Sequence, residues 1–164
     1  MGCETTIRRA YEIMGESTPL DTDCGLLCSG ACCKGDENAG MWVFPGEEAF
    51  LSDFTLTENE TNTVAVCGGT CDRAHRPLSC RIFPLFPMVI EHPRTGHLTV
   101  KAMPDPRAFH ICPLFREGNE IDPAFKKRVE RVGKELLKNR ELRQYLLETT
   151  DFLRYLYTVK EKLG

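Results

Sequence analysis

Residues 24–33 read Cys-Gly-Leu-Leu-Cys-Ser-Gly-Ala-Cys-Cys. This density of cysteine, beside glycine, exceeds what the packing of a small core requires. Further cysteines follow at a distance, in Cys67-Gly-Gly-Thr-Cys71, in Ser79-Cys80-Arg81 and in Cys112-Pro113. Cys3 stands apart from these groups. We therefore take eight of the nine cysteines as candidate metal ligands: Cys24, Cys28, Cys32, Cys33, Cys67, Cys71, Cys80 and Cys112.

The spacing of these cysteines suits thiolate coordination of a metal. A tetrahedral zinc site needs several sulfur atoms at about 2.3 Å from one ion. A short loop such as Cys24-x3-Cys28 delivers two sulfurs, and a distant segment supplies the others. Neighbouring glycines permit tight turns and let amide N–H groups approach the sulfurs. Adjacent Cys32 and Cys33 point in divergent directions, so the eight sulfurs are compatible with one site or with two four-thiolate sites.

The cellular compartment decides whether clustered cysteines form disulfides or bind metal. The first residues, Met1-Gly2-Cys3-Glu4-Thr5-Thr6, are polar and include no apolar secretory segment. The cysteine count of nine is odd, which also disfavours a closed disulfide framework. We expect a cytoplasmic protein with reduced cysteines. A secreted disulfide domain whose signal has been removed is the alternative.

Charge divides the chain of 164 residues into two parts. Residues 1–121 carry 10 basic and 17 acidic side chains, and residues 122–164 carry 11 and 7. We predict a cysteine-rich metal-binding domain over 1–121 and a helical C-terminal extension over 122–164 that packs on it. The net charge of −3 predicts no general attraction to nucleic acid. No apolar run approaches the roughly 20 residues that span a bilayer, so no membrane association is expected.

The hydrophobic pattern predicts an α+β fold: a small irregular cysteine-rich body with short strands and a hairpin, and an α-helical C-terminal tail. The pattern predicts a helix from Thr5 to Met14 that Gly15 closes, and a second helix that opens at Pro45-Gly46-Glu47-Glu48. Strands are expected at 41–44 and 63–66, and a hairpin from 88–91 and 97–101. In the tail, one helix begins at Asp122-Pro123, and Thr150-Asp151 is expected to cap a separate last helix.

A known family shares this order of motifs. The cysteine groups, Glu47-Glu48 with Phe50-Leu51, and above all the string Arg76-Pro77-x-x-Cys80-Arg81-x-Phe83-Pro84 resemble the YkgJ-type (CxxCxxCC) family over about residues 24–112. The first group here is spaced by three residues, where the family name implies two. The resemblance implies a small cytoplasmic zinc- or iron-chelating domain. Similar cysteine modules occur in an iron–sulfur flagellin lysine methylase, which implies a possible link to redox or methyl-transfer chemistry.

Two functions follow from the cysteines. The first is a structural zinc module whose helical tail meets a protein partner, and the second is a [4Fe-4S] protein with a redox or protein-methylation role. His75 and His110 are candidates for a fourth ligand or a supporting donor, against the simpler reading of surface histidines. We expect some of the basic side chains near the cysteines to donate to the sulfur atoms or to neighbouring acidic side chains: Arg73, Arg76, Arg81, Arg107 and Arg116. Zinc hydrolase, nucleotide-binding and catalytic-serine motifs are missing from the sequence, which leaves enzymatic activity undecided.

Overall fold

The computed structural model describes residues 2–20, 40–66, 72–108, 112 and 121–163. Within these ranges the fold is α+β, as predicted, with an N-terminal helix, two small antiparallel sheets and two C-terminal helices. The helices are α1 (Cys3–Met14), α2 (Leu78–Ile82), α3 (Pro123–Leu136) and α4 (Arg140–Leu163). The strands are β1 (Gly40–Trp42), β2 (Thr55–Glu58), β3 (Thr63–Val66), β4 (Leu85–Glu91) and β5 (Leu98–Pro104).

Helix α1 confirms the prediction from the apolar spacing near the N-terminus. Ile7, Ala10 and Met14 lie on one face and are fully buried, because positions three and four apart share a side of a helix. Gly15 ends the helix with φ +53°, a backbone conformation that glycine adopts readily. Its N–H donates to Tyr11 O at 2.8 Å.

Strands β1, β3 and β2 form an antiparallel sheet in that spatial order. Gly40 pairs with Val66 at one end of this sheet, and Thr55 pairs with Val66 from the other side. A Cβ on Gly40 would lie 2.2 Å from Ala65 O, so this close approach of β1 to β3 requires glycine. The strands predicted at 41–44 and 63–66 are present, the first shifted by a residue or two, whereas β2 is an addition. The helix predicted from Pro45 is a 3-10 turn over Glu47–Phe50.

The predicted hairpin is present and longer than the sequence pattern indicated. Strands β4 and β5 pair over seven positions, from Leu85↔Pro104 to Glu91↔Leu98. Gly96 closes the turn with φ +69°, and its N–H donates to His92 O at 2.9 Å.

The C-terminal helices begin and break at capping residues. Asp122 Oδ1 accepts from Ala124 N at 2.9 Å and caps α3. Asn139 Oδ1 accepts from Glu141 N at 3.0 Å and from Leu142 N at 3.1 Å, so it opens α4 after the break that separates this helix from α3. The prediction of a separate helix capped at Thr150-Asp151 was wrong, because α4 runs through both residues.

Thr150 has a tertiary role that a sequence pattern does not reveal. Its side chain is 1% exposed, and its Oγ1 accepts a hydrogen bond of 3.1 Å from Val89 N on β4. A threonine whose sequence context is typical of a helix N-cap therefore accepts a hydrogen bond from a backbone amide of a strand in the core.

One apolar cluster joins α1, α2, β4, α3 and α4. The two C-terminal helices supply seven of its buried members: Phe125, Val129, Val132, Leu136, Leu142, Leu146 and Leu153. Gly133 lets α3 approach the hairpin, since a Cβ there would lie 2.5 Å from Val100 Cγ1 and 2.7 Å from Pro87 Cβ. Across the ranges given above, no helix has both the length and the apolar character to cross a membrane.

Candidate metal centre

Two of the eight predicted ligands, Cys80 and Cys112, lie in the described part of the chain. The other six lie outside the described residues: Cys24, Cys28, Cys32, Cys33, Cys67 and Cys71. Among the described residues alone, no three His, Cys, Asp or Glu side chains are grouped so that they could hold a metal ion. A metal centre with three or more such ligands therefore needs at least one residue from outside the described part of the chain.

Cys80 lies in the short helix α2 and is half-buried. Its N–H donates to Pro77 O at 3.0 Å, so the first turn of the helix forms directly after the proline. The neighbouring Ser79 fixes this helix against the first sheet, because its hydroxyl donates to Trp42 O on β1 at 2.5 Å. The position of Cys80 is thus tied to β1.

A buried carboxylate holds the start of the same helix. Glu47 is fully buried, and its Oε1 accepts from Leu78 N at 2.5 Å and from Tyr11 Oη at 2.6 Å. Its Oε2 accepts from Phe44 N at 3.0 Å. Burial raises the pKa of Glu47, and these three hydrogen bonds to the carboxylate oppose the rise. Sequence reasoning treated Glu47 as a helix-start residue and missed this role, which depends on Leu78, a residue remote in sequence.

Two of the predicted arginines surround Cys80. Arg76 Nη2 donates to Cys80 O at 2.7 Å, and Arg81 Nε donates to Arg76 O at 2.8 Å. The Arg81 guanidinium also lies 4.3 Å from the centre of the Tyr11 ring. Burial lowers the pKa of Arg81, and attraction to Tyr11, Glu47 and Cys80 in their anionic forms works in the opposite direction. A cation therefore stands beside the candidate ligand.

Arg107 has one of the two roles expected from the sequence, because it donates to the neighbouring acidic side chain of Asp105. It forms an ion pair of 2.7 Å with Asp105, and its guanidinium lies 4.8 Å from the centre of the Trp42 ring. These contacts hold it against the aromatic side chain. Arg116 and the side chain of Arg73 lie outside the described residues.

Cys112 is 8% exposed and packs with buried Ala108. Its N–H donates to Ala108 O at 2.8 Å. Leu20, Phe83 and Ile121 pack against this pair. Phe83 follows α2 directly, so the side chain three positions after Cys80 belongs to the surroundings of Cys112.

The histidines are placed differently from one another. His75 Nδ1 lies 2.6 Å from Asp53 Oδ2 and 3.9 Å from Asp72 Oδ2. His92 and His97 are exposed at the hairpin turn. His110 lies outside the described residues.

Cys3, which the sequence placed apart from the cysteine groups, lies near the start of α4. Its Sγ donates to Glu141 Oε2 at 3.3 Å and to Asn139 Oδ1 at 3.4 Å. Burial, together with the Glu141 carboxylate, raises the pKa of the Cys3 thiol to about 11. A thiol held protonated in this way is a poor metal ligand, because coordination needs the thiolate.

The resemblance to the YkgJ-type family stays a prediction from the motifs of residues 24–112. No family model, no curated protein and no solved structure matches this chain.

Proposed function

We propose that this protein binds zinc through the thiolates of its clustered cysteines and acts as a structural or interaction module. The proposed ligands are drawn from Cys24, Cys28, Cys32, Cys33, Cys67, Cys71, Cys80 and Cys112. The main support for the proposal is the pairing of Gly40 with Val66. These two residues are the described flanks of the cysteine groups 24–33 and 67–71.

The sheet brings the flanks of these two groups together. Gly40 is the first described residue after the segment that holds Cys24–Cys33, and Val66 directly precedes Cys67 in sequence. Partners in an antiparallel pair have Cα atoms about 4.5–5.5 Å apart. The described residues that flank two cysteine groups far apart in sequence therefore lie at one end of one sheet.

The remaining two ligands are linked to the same region. Ser79, next to Cys80, is bonded to Trp42 on β1. Phe83, which follows the Cys80 helix, packs against Ala108 and Cys112. Leu20, the last described residue before the first cysteine group, packs there as well. Each cysteine group thus has at least one flank in this sheet, in the Cys80 helix, or in contact with Phe83 at the end of that helix.

The charges near Cys80 fit a thiolate centre. Four thiolates around Zn²⁺ leave a local charge near −2, which is costly to bury without compensation. Arg76 and Arg81 are held near Cys80 by hydrogen bonds to backbone carbonyl groups. A half-buried thiol beside two fixed cations is a suitable metal ligand.

Thiolate ligation suits zinc and iron–sulfur clusters alike. We favour zinc because it is redox-inert and no electron-transfer motif accompanies the cysteines. A [4Fe-4S] cluster with a redox or protein-methylation role is the alternative that the first experiment distinguishes.

The proposed protein partner would meet the exposed side of α4. The apolar faces of α3 and α4 are buried in the core of this chain. They are therefore not available to bind a partner. On α4, Tyr155 is 64% exposed, whereas Phe152, at 38% exposure, stacks on Trp42 with ring centroids 5.3 Å apart. We place the protein in the cytoplasm, where cysteines stay reduced.

Anaerobic purification, metal analysis and a visible absorption spectrum test the proposal. We expect a colourless protein with stoichiometric zinc, and Cys80→Ser lowers the zinc content while Cys3→Ser leaves it unchanged. Brown colour with acid-labile sulfide would reject zinc in favour of the cluster. Removal of zinc should also unfold the cysteine-rich body cooperatively. A chelator-treated protein that melts unchanged would contradict the structural role.

A further inference from the structure

A small cavity lies between the residues that follow α1 and those around α2. Its volume is about 260 Å³, and the described residues that line it are Gly15, Glu16, Ser17, Ala74, Arg76 and Arg81. Pockets that take a drug-sized molecule measure about 300–1,000 Å³. The space here therefore suits a smaller polar group.

Two arginines give this cavity its chemistry, and both are held in place. Arg81 Nε donates to Arg76 O at 2.8 Å, and Arg81 Nη2 donates to Ala74 O at 2.7 Å. The Arg81 guanidinium also lies over the Tyr11 ring. Arg76 Nη2 donates to Cys80 O at 2.7 Å. Because these contacts fix the guanidinium groups in advance, a ligand that binds them pays less for ordering side chains.

Both arginines keep donors for a ligand. A guanidinium group has five N–H groups. The hydrogen bonds named above use two of them on Arg81 and one on Arg76, which leaves three and four. Within the part of the chain that the structure describes, neither arginine forms an ion pair with an acidic side chain.

The charges of the two arginines are close enough to interact. Burial lowers the pKa of Arg81, and the positive charge of Arg76 lowers it further. An anion bound in the cavity would offset this repulsion, because an opposite charge favours the charged form of each guanidinium.

Glu16 is the acidic side chain of the described lining. It is exposed, so solvent and salt screen its charge. Two arginines against one exposed acid leave the lining positive, and Glu16 therefore weakens the attraction of an anion without cancelling it.

We propose that this cavity binds a phosphate group, with Arg76 and Arg81 as the residues that hold it. The guanidinium fork matches phosphate oxygens in pairs. A phosphate group carries about 1.5 to 2 negative charges at pH 7, and its tetrahedral oxygens can accept from two guanidinium groups that approach from different directions. A carboxylate has one charge and two oxygens in a plane. The inference does not depend on the proposed metal-binding function.

Carbon-13 spectra of the guanidinium groups test the inference on the unmutated full chain. Titration with sodium phosphate at pH 7 and constant ionic strength should shift the signals of Arg76 and Arg81. The signal of Arg94, an exposed arginine of the hairpin turn, should stay unchanged. Unchanged signals of Arg76 and Arg81, or an equal shift of Arg94, would overturn the inference. A chain that lacks zinc and still shows the specific shifts would contradict the proposed function alone.

Calorimetric titration of variants with inorganic phosphate gives the expected magnitudes. Arg76→Gln should weaken binding about tenfold or more, because hydrogen bonds between charged groups are lost. Glu16→Gln should strengthen binding by about two- to fivefold, because it removes a negative charge from the lining. Arg94→Gln is the matched control, since it removes the same charge at a distant exposed position, and it leaves binding unchanged. An equal loss in Arg94→Gln and Arg76→Gln would reduce the effect to the net charge of the protein and overturn the site.

Two further probes define the ligand. Phenyl phosphate that binds more tightly than inorganic phosphate indicates a phosphate ester as the natural group, and the reverse order indicates the free ion. Acetate that binds as tightly as either probe would overturn the assignment to phosphate.

Discussion

Glu47 Oε1 accepts a hydrogen bond of 2.5 Å from Leu78 N, the amide of the first residue of α2. Through Tyr11 the same carboxylate is linked to α1. One buried acid thus connects the N-terminal helix to the helix that carries Cys80.

Replacement of Glu47 should be strongly destabilising. Glu47→Ala leaves the Leu78 and Phe44 amides buried without an acceptor, and each such loss costs about 1–3 kcal/mol. We expect the free energy of unfolding to fall by about 3–5 kcal/mol, as measured by urea denaturation of the metal-loaded protein. Glu47→Gln should fall between this variant and the wild type, because its amide oxygen still accepts.

Glu48→Ala provides the matched control for this experiment. Glu48 is the exposed neighbour in the same 3-10 turn, so its loss should change stability by less than about 0.5 kcal/mol. Equal effects of the two substitutions would contradict the structural role given to Glu47.

The pairing of β1 with β3 predicts the effect of a single methyl group. Glycine-to-alanine changes at compatible positions usually stabilise, by about 0.4–1 kcal/mol. Gly40→Ala should instead destabilise by about 1–3 kcal/mol, because the added Cβ would lie 2.2 Å from Ala65 O. It should also lower zinc content, since the flanks of two cysteine groups meet there.

Thermal melting and metal analysis of Gly40→Ala check both parts of this prediction. Thr57→Ala, at an exposed position on the outer strand β2 of the same sheet, should retain its zinc and most of its stability. A Gly40→Ala protein with wild-type stability and zinc content would show that the sheet does not position the cysteines.

Much of the regular structure was predictable from local pattern, and the exceptions depend on partners that are remote in sequence. Helix α1, the hairpin and the start of α3 follow from apolar spacing and from the residues that cap or close them. The prediction of a helix cap at Thr150 was wrong because its hydroxyl oxygen accepts a hydrogen bond from Val89 N on strand β4. Strand β2 was missed because its four residues form an edge whose side chains are largely exposed.

The candidate site was less predictable than the fold. The number and spacing of the cysteines identify them as candidate ligands. Nothing in the local sequence indicates that Glu47 holds the Cys80 helix. The sequence likewise does not indicate that Asp53 meets His75, since 22 positions separate them. Such contacts are created by tertiary packing, so they become visible only when the elements are assembled.

The environment of Cys3 predicts a thiol that reacts slowly. Because its pKa rises from 9.0 to about 11, its thiolate fraction at pH 8 is about a hundredfold lower than that of an ordinary cysteine. The rate of alkylation by iodoacetamide, followed by mass spectrometry of the Cys3 peptide, should keep rising with pH up to about 11, whereas the rate for an ordinary cysteine levels off near pH 9.0. The same peptide in urea, where the burial is lost, should react at the ordinary rate.

The pKa of Cys3 also fixes the direction of a stability change. A group whose pKa is higher in the folded than in the unfolded protein contributes its full stabilisation when the pH is below the pKa of the unfolded state. This contribution is lost as the pH rises to the pKa of the folded state. Stability should therefore decline between pH 9.0 and about 11, and Cys3→Ser should decline less. An identical decline in both proteins would contradict the assignment to Cys3.

Zinc-edge X-ray absorption of the full chain, purified without oxygen, tests the central claim most directly. If cysteines from separate parts of the sequence coordinate zinc, the first coordination shell of the ion should consist mainly of sulfur at about 2.3 Å. A first shell made only of nitrogen and oxygen, or a chain that retains no metal and carries its cysteines as paired disulfides, would contradict it.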